Sequence, residues 1–481
     1  MSDSIREAVF GWLKGQNVRA YWVGGSVRDW VLGRHVHDLD IAVEGRPIPL
    51  GRRLADAFGG AFYALDAERE AVRVLLPTEA GQPFTLDLTR LYGGDIHSDL
   101  AARDFTINAM ALPIGVTDLS KLVDPFGGLS DLRQGWLRPV SPMSLQNDPL
   151  RAFRAVRMAH QFALRAEPET ESLIRQAIPL LPQVSAERIR DEVCRILDLC
   201  PAGPPVADLH QLGLLHSLFE RFVVSQQVAG RLPHPGELYA LPIELQPHRA
   251  VEAFNAWESL FDSGPQPPPS SQTERALTAF RDVINRYRRL LQDRLGAGIA
   301  GYRTRATMLK WVILLLYTAG PMCVSAVLSG LRFSNAEVRF SVTLANVFLE
   351  PMAWVEQQDV SPRVLHRFYR QARDCGPEAL TLFLADRLAA FGRGEAVHSP
   401  VEIAGVVDKA WRAYFEAYHE IVAPPRLLNG EDITAQTGIP AGPAVGELLE
   451  QLQEAQAAGE IRSREEALNW LEARAVRQHT P

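Results

Sequence analysis

The sequence predicts an α+β head, a small mixed sheet with helices, followed by an all-α neck, body and tail. From Ala20 to about Leu137, short β-rich runs alternate with helix-like stretches. Beyond Leu137 strand signals nearly vanish, and apolar residues recur at helical spacing. A length of 481 residues with 47% hydrophobic content suits about three domains of ordinary size.

In chain order, "RAYWVGG" and "LDIAV" read as strands separated by the short helix "SVRDWVLG", which Gly33 ends. A helix in "PLGRRLADAFG" and strands in "AVRVLLP" and "FTLDLTR" complete the head, residues 1–137. The helices of "DPLRAFRAVRMAHQFAL" and "AERIRDEVCRILDLC" form a neck over 138–200. A helical body over 201–422 contains a proline-rich loop at 263–272, and the prolines of "VAPPRLLNG" set off a tail over 423–481.

Composition excludes several classes. The four cysteines form no CxxC pair and have no histidines at zinc-ligand spacing, which argues against a structural zinc site or a disulfide framework. A net charge of −7 gives no global attraction to nucleic acid, so any such binding needs local basic patches. All but four of the 50 basic residues are arginine, which genome composition explains more simply than phosphate binding. Residues 1–15 fit neither a secretory signal nor a transit peptide, and the longest apolar run, "WVILLLYTAG", is too short to span a membrane. The expected compartment is the cytoplasm.

Chemistry concentrates in "VGGSVRDWVLGRHVHDLDIAV", residues 23–43. Alternate residues of a strand share a face, so Asp38 and Asp40 converge while Leu39 and Ile41 pack behind them. Two carboxylates so placed repel, and a hard divalent cation removes that cost. Asp87, in mid-strand of "FTLDLTR", is a third. Three such groups are what two Mg2+ ions need to bridge an attacking hydroxyl and a nucleoside triphosphate. Gly24 and Gly25, lacking Cβ atoms, let backbone N–H groups and the Ser26 hydroxyl approach phosphate at a helix N-terminus, with Arg28 adding charge.

"GGSVRDWVLG...DLDIAV", "ARDFTINAMAL", "LVDPFGGLSDL", "DPLRAFRAVR" and "ERIRDE" occur in that order and closely resemble the bacterial tRNA nucleotidyltransferase and poly(A) polymerase family, with its polymerase-β-like head. "LLNGEDITAQTGIPAGPAVGELLEQL" resembles that family's tail. The resemblance implies Asp38 and Asp40 as metal ligands, Gly25 and Arg28 as triphosphate contacts, and Arg103, Asp104 and Asn108 as nucleotide contacts. It implies Asp87 as the third strand carboxylate, a general-base candidate. The activity it implies is template-independent addition of C or A from CTP or ATP to the 3′ end of tRNA, with release of pyrophosphate.

Asp148 and Arg151, three residues apart, are expected on one helix face. There an acceptor and a donor match the amino group and ring nitrogen of cytosine or adenine, while uracil and guanine present the reverse. In the family this pair reads the base, and Arg154, one helical step on, is placed for the triphosphate. Asn147 stands where the family usually has Glu, which removes a charge that would orient an arginine. The connection from Asp87 to Arg103 is shorter than in many relatives, whose longer flexible segment is associated with the switch from C to A addition. Its length hints at CC addition.

Leu316 and Tyr317 fall where the HD phosphohydrolase domain of many relatives carries its paired His and Asp, which predicts a degenerate HD-like body without a metal. His234, His248 and His366 do not restore the pattern and read as surface or packed residues. Arg157, turned away from the base-reading face, and Arg188 of "ERIRDE" are candidate RNA contacts. So are Arg288 and Arg289, within a basic excess over 281–310. Two rival functions stay open at this point: a poly(A) polymerase acting on other RNAs, and a non-catalytic RNA-binding protein.

Overall fold

The computed structural model describes residues 2–36, 38–66, 70–78, 81, 83–219, 247–262, 264, 271–301, 303–318 and 320–478. It divides into two compact units, Met1–Glu192 with Gln211–Ser217, and Val193–His210 with Leu218–Pro481.

The first unit opens with α1 (Ser2–Gly15), β1 (Ala20–Val23), α2 (Gly25–Val31), β2 (Asp38–Val43) and α3 (Pro47–Phe58). It continues through β3 (Ala61–Asp66), β4 (Ala71–Leu76), β5 (Phe84–Arg90), α4 (Ile96–Ala101), β6 (Ala111–Pro113) and α5 (Gly128–Gln134). The six strands form one sheet in the order β3-β4-β5-β2-β1-β6. Among the described residues of this sheet, only β2 and β5 pair in parallel.

Alternation divides the central strands into two faces. Leu39, Ile41, Val72, Val74, Leu86 and Leu88 are fully buried on the face that α3 covers. The helix approaches closely because residue 51 is glycine: a Cβ there would stand 2.7 Å from Val72 Cγ2 and 3.3 Å from Leu88 Cδ1. Gly51→Ala is therefore expected to cost about 1–3 kcal/mol through overpacking, read as a lower denaturant midpoint. The opposite face carries Asp38, Asp40, Asp87 and Arg73. The residue pattern does not mark β3, because this edge strand is largely exposed and lacks apolar alternation.

Neck elements in the same unit are β7 (Trp136–Leu137), α6 (Ser144–Asn147), α7 (Arg151–Gln161), β8 (Arg165–Ala166), α8 (Pro168–Ala177) and most of α9 (Ala186–Leu197). β7 pairs in parallel with β8, and Phe105 bridges Pro139, so the chain is stitched across the boundary expected at 137.

The second unit is helical among its described residues, with long members at Pro247–Phe261, Gln272–Gly296, Arg305–Thr318, Gly376–Arg393 and Pro400–Phe415. Reciprocal capping boxes start the helices at Gln272, Asn335, Pro400 and Gly430. Residues from Leu428 to Leu471 share a small core of their own, including Ile433, Leu452 and Ala467. That core lies in the segment expected as the tail. Most of the loop expected at 263–272, and His234, lie outside the described residues. Among the described residues no helix is long and apolar enough to cross a membrane.

Candidate active site

Gly24 turns the chain from β1 into α2 at φ 74° and ψ −139°, a conformation that side chains rarely permit. A Cβ at this position would collide with the Arg103 guanidinium and lie 3.7 Å from Asp40 Oδ2. The turn, the arginine and the carboxylate therefore meet at one place. Asp99 fixes Arg103 by accepting from its Nε and Nη2 at 3.1 and 2.9 Å. Asp99 also accepts from the Tyr92 N–H at 3.1 Å, which ties together the ends of the short connection after β5.

Asp38 is exposed and Asp40 partly buried on the same face of β2. Asp40 lies directly opposite Asp87 in the parallel β2–β5 register, so their side chains share that face. Burial pushes the Asp40 carboxyl up to about 6; Arg103 opposes the shift, and the Asp87 and Asp38 charges reinforce it. A hard cation held by Asp38 and Asp40 would remove the cost of ionising this pair, so the donor set fits Mg2+.

Asp87 is engaged elsewhere. Arg73 of β4 grips both of its oxygens, Nε to Oδ1 and Nη2 to Oδ2, each at 2.8 Å. Among the described residues no three His, Cys, Asp or Glu side chains form a ready-made cation cage. The three expected carboxylates share a face without closing on one point.

Ser26, Asp104 and Asn108, expected as nucleotide contacts, are buried and engaged in hydrogen bonds within the protein. The Ser26 hydroxyl is buried, accepting from Trp22 Nε1 at 2.7 Å and from the Asp40 N–H at 3.2 Å and donating to the Val23 carbonyl at 3.0 Å. It pins the β1–α2 turn to β2. Asp104 is buried and accepts from Asn108 Nδ2 at 2.9 Å, the Phe105 N–H at 2.8 Å and Arg154 Nη1 at 3.0 Å. Burial works against its charge, but Arg154 and these donors outweigh it and hold the carboxyl below its usual range. Asn108 Oδ1 in turn accepts from the buried Arg28, which stacks on Phe162 and pairs with Asp29. Arg28, Asn108, Asp104 and Arg154 form one continuous polar chain beneath the site.

Asp148 and Arg151 do not share a helix face. Pro149 disfavours helical backbone at Asp148, which is extended at φ −144° and ψ 94° just before α7. Its Oδ2 accepts from Arg188 Nη2 at 2.8 Å. Arg151 donates to the carbonyls of Ala102, Arg103 and Ser144 and to Ser144 Oγ. Asp148 Oδ1, Arg151 Nε and Arg154 Nε remain buried with no hydrogen-bond partner. Arg154 Nε faces the Glu192 carboxylate at 4.0 Å, whereas Asp148 Oδ1 and Arg151 Nε are left as an acceptor and a donor for a ligand to satisfy. Asn147 is exposed at the end of α6.

Residues 20–92 and 80–138 match the model described as the poly A polymerase head domain, and 164–224 match a probable RNA and SrmB-binding site of polymerase A. The chain is 32% identical to the CC-adding tRNA nucleotidyltransferase of Geobacter sulfurreducens, covering 94% of this chain and 91% of that protein. The chain belongs to the tRNA nucleotidyltransferase family. It is also 30% identical to the A-adding tRNA nucleotidyltransferase of Deinococcus radiodurans, covering 92% of this chain and 93% of the relative. Its fold resembles a CCA-adding enzyme complexed with ATP, with a TM-score of 0.65 and 20% identity over 98% of this chain and 95% of the other. A Thermotoga maritima CCA-adding enzyme complexed with tRNA gives a TM-score of 0.59, 20% identity and the same coverage.

Within this nucleotidyltransferase, two site residues escaped sequence reasoning. Arg73 needed the β4–β5 register to meet Asp87. Glu192 of α9, 2% exposed, accepts from Arg157 Nε at 2.6 Å and lies 4.0 Å from Arg154. Arg157, an expected RNA contact, is therefore nearly buried in an internal ion pair.

Much of the basic excess at 281–310 is likewise committed. Arg286 pairs with Asp408, Arg294 and Arg305 with Glu378, and Arg303 with Glu337. Arg281 and Lys310 are buried against the Ser259 and Leu197 carbonyls. Arg288 donates to the Phe261 carbonyl and Asn285, and Arg289 is exposed. In the helix Arg305–Thr318, the Tyr317 hydroxyl is bound to Asp386. His366 is packed with Nδ1 2.8 Å from the Ile421 carbonyl, and His248 is exposed.

Proposed function

We propose that this nucleotidyltransferase adds C residues from CTP to the 3′ end of tRNA without a template and stops at CC, working in the cytoplasm beside its substrate. The observation that carries base selection is the pair Asp148 Oδ1 and Arg151 Nε, both buried without a hydrogen-bond partner. An acceptor beside a donor suits the amino and ring-nitrogen edge of cytosine or adenine; uracil or guanine would leave the buried groups mismatched. The compact connection after β5, tied at both ends through Asp99, supports stopping at CC.

In this reading Asp38 and Asp40 hold Mg2+, which when bound supplies Lewis-acid activation of the RNA 3′-hydroxyl and neutralises charge on the triphosphate. Asp87, opposite Asp40, is the third carboxylate and would join them once its Arg73 fork opens. Arg103, locked by Asp99 beside the Gly24–Gly25 turn, offers its charge to the triphosphate. Arg28, Asp104 and Asn108 hold that turn and the neck arginines in place from beneath. Arg188 steadies Asp148, and Arg289, exposed on its helix, is a candidate for RNA phosphates.

The test is incorporation of each labelled nucleotide into tRNA transcripts ending at the discriminator base, at C and at CC. Addition of C to the first two and nothing to the third is expected. A added only to the CC transcript would reverse the assignment, and long A tracts on any RNA would indicate a poly(A) polymerase. Asp148→Ala should lower the preference for CTP over UTP at least about tenfold, or ~1.4 kcal/mol, measured as a ratio of kcat/KM values.

A further inference from the structure

We propose that Arg73 is a built-in counter-ion that keeps Asp87 from a divalent cation until a nucleotide arrives, so that the protein loads its metals in two steps. The proposal rests on the metal reading of Asp38 and Asp40 given above and extends it to a residue outside the family motifs.

Three adjacent strands set up the contact. Asp40 of β2 is opposite Asp87 of β5, and Asp87 is opposite Arg73 of β4. Cross-strand neighbours project to the same face, so carboxylate, carboxylate and guanidinium form one row across the sheet. The face behind this row is closed by the α3 core, so its charges are balanced from the solvent side.

Arg73 meets Asp87 through a two-point fork, both bonds at 2.8 Å. This geometry occupies both carboxylate oxygens and is the strongest form of the pair. The Asp87 side chain is 23% exposed and that of Arg73 44%, so the fork can open without disturbing the core. Arg73 also feels the charges of Asp38 and Asp40. A cation that needs Asp87 must displace a cation already in place. Among the described residues no arginine forks Asp38 or Asp40, on which Arg103 acts through its charge, so the first ion has no two-point competitor to displace. A triphosphate brings additional oxygens and negative charge, which shifts the competition at Asp87 toward the second ion.

The experiment is Mn2+ binding to the nucleotide-free full-length protein, followed by electron paramagnetic resonance of the free ion. The wild type is expected to bind one ion with a second site much weaker. Arg73→Gln should tighten the second site about tenfold, because the competitor is gone. Arg73→Lys, a single-point donor, should fall between the two. Adding Asp87→Asn to Arg73→Gln should remove the gain and so tie it to this carboxylate. Because residue 73 is half-exposed, unchanged thermal melting is the expected control.

Equal or weaker second-site binding in Arg73→Gln overturns the proposal, even where Asp40→Asn abolishes the first site and thereby upholds the metal reading. If Asp40→Asn leaves Mn2+ binding unchanged, the metal reading itself falls and this proposal falls with it.

Discussion

Asp40→Asn is expected to abolish nucleotide incorporation while raising the melting temperature of the metal-free protein. Removing one of the two proposed metal ligands forfeits several kcal/mol of transition-state stabilisation, about three or more orders of magnitude in rate. Stability moves the other way because the Asp40 carboxyl is pushed up to about 6 in the fold, above its ordinary value. A raised carboxyl pKa means that the folded protein resists the ionised form, so charged Asp40 weakens the fold at neutral pH. The penalty is absent below about pH 4, where the group is protonated folded or unfolded, grows toward pH 6 and is constant above it. The neutral amide escapes it. A gain of up to about 3 kcal/mol, seen as a melting shift at pH 8 that vanishes by pH 4, is the expected signature. An unchanged or lower melting temperature at pH 8 would contradict this account of Asp40.

Glu192→Ala should be among the most destabilising substitutions in the first unit, at about 3–5 kcal/mol. Glu192 is almost fully buried and answers Arg157, itself only 12% exposed. Removing the carboxylate leaves a guanidinium with no counter-charge in a place that water hardly reaches. Glu192→Gln keeps an acceptor for Arg157 Nε and should lose less. Chemical denaturation monitored through the head tryptophans separates the two. Equal midpoints for Ala and wild type would show that Arg157 finds another partner. Because Arg154 lies between Glu192 and Asp104, loss of Glu192 should also raise the nucleotide KM.

Local spacing carries the parts of the site that lie on one element. Asp38 and Asp40 are two residues apart on a strand, and Gly24 precedes a helix, so both are legible without a structure. Asp87 is legible as a polar residue among apolar strand neighbours. What spacing cannot supply is partnership across the sheet or between distant segments. Arg73 and Asp87 meet only because β4 and β5 pair in one register. Glu378, which engages Arg294 and Arg305, is more than 70 residues from either, so a run that reads as a basic surface is partly neutralised from within. Helical periodicity also misplaced Asp148, although Pro149 held the contrary signal: the residue before a proline avoids helical backbone. Ser26 shows a different limit, since a hydroxyl at a glycine turn can serve a phosphate or the fold, and spacing does not reveal its three internal partners.

The parallel alignment of β2 with β5 has a consequence for how the head comes to be correct. These strands are neighbours in the sheet but distant in the chain, so their pairing waits on everything between them. A slip of one residue would turn Asp40 or Asp87 inward beneath α3 and thrust Leu39 or Leu88 into water. Such a head could not survive as a sluggish enzyme, because the mistake that disarms it also strips it of its core. Catalytic competence and a finished fold arrive together, and a misassembled copy is left for proteolysis instead of competing for tRNA.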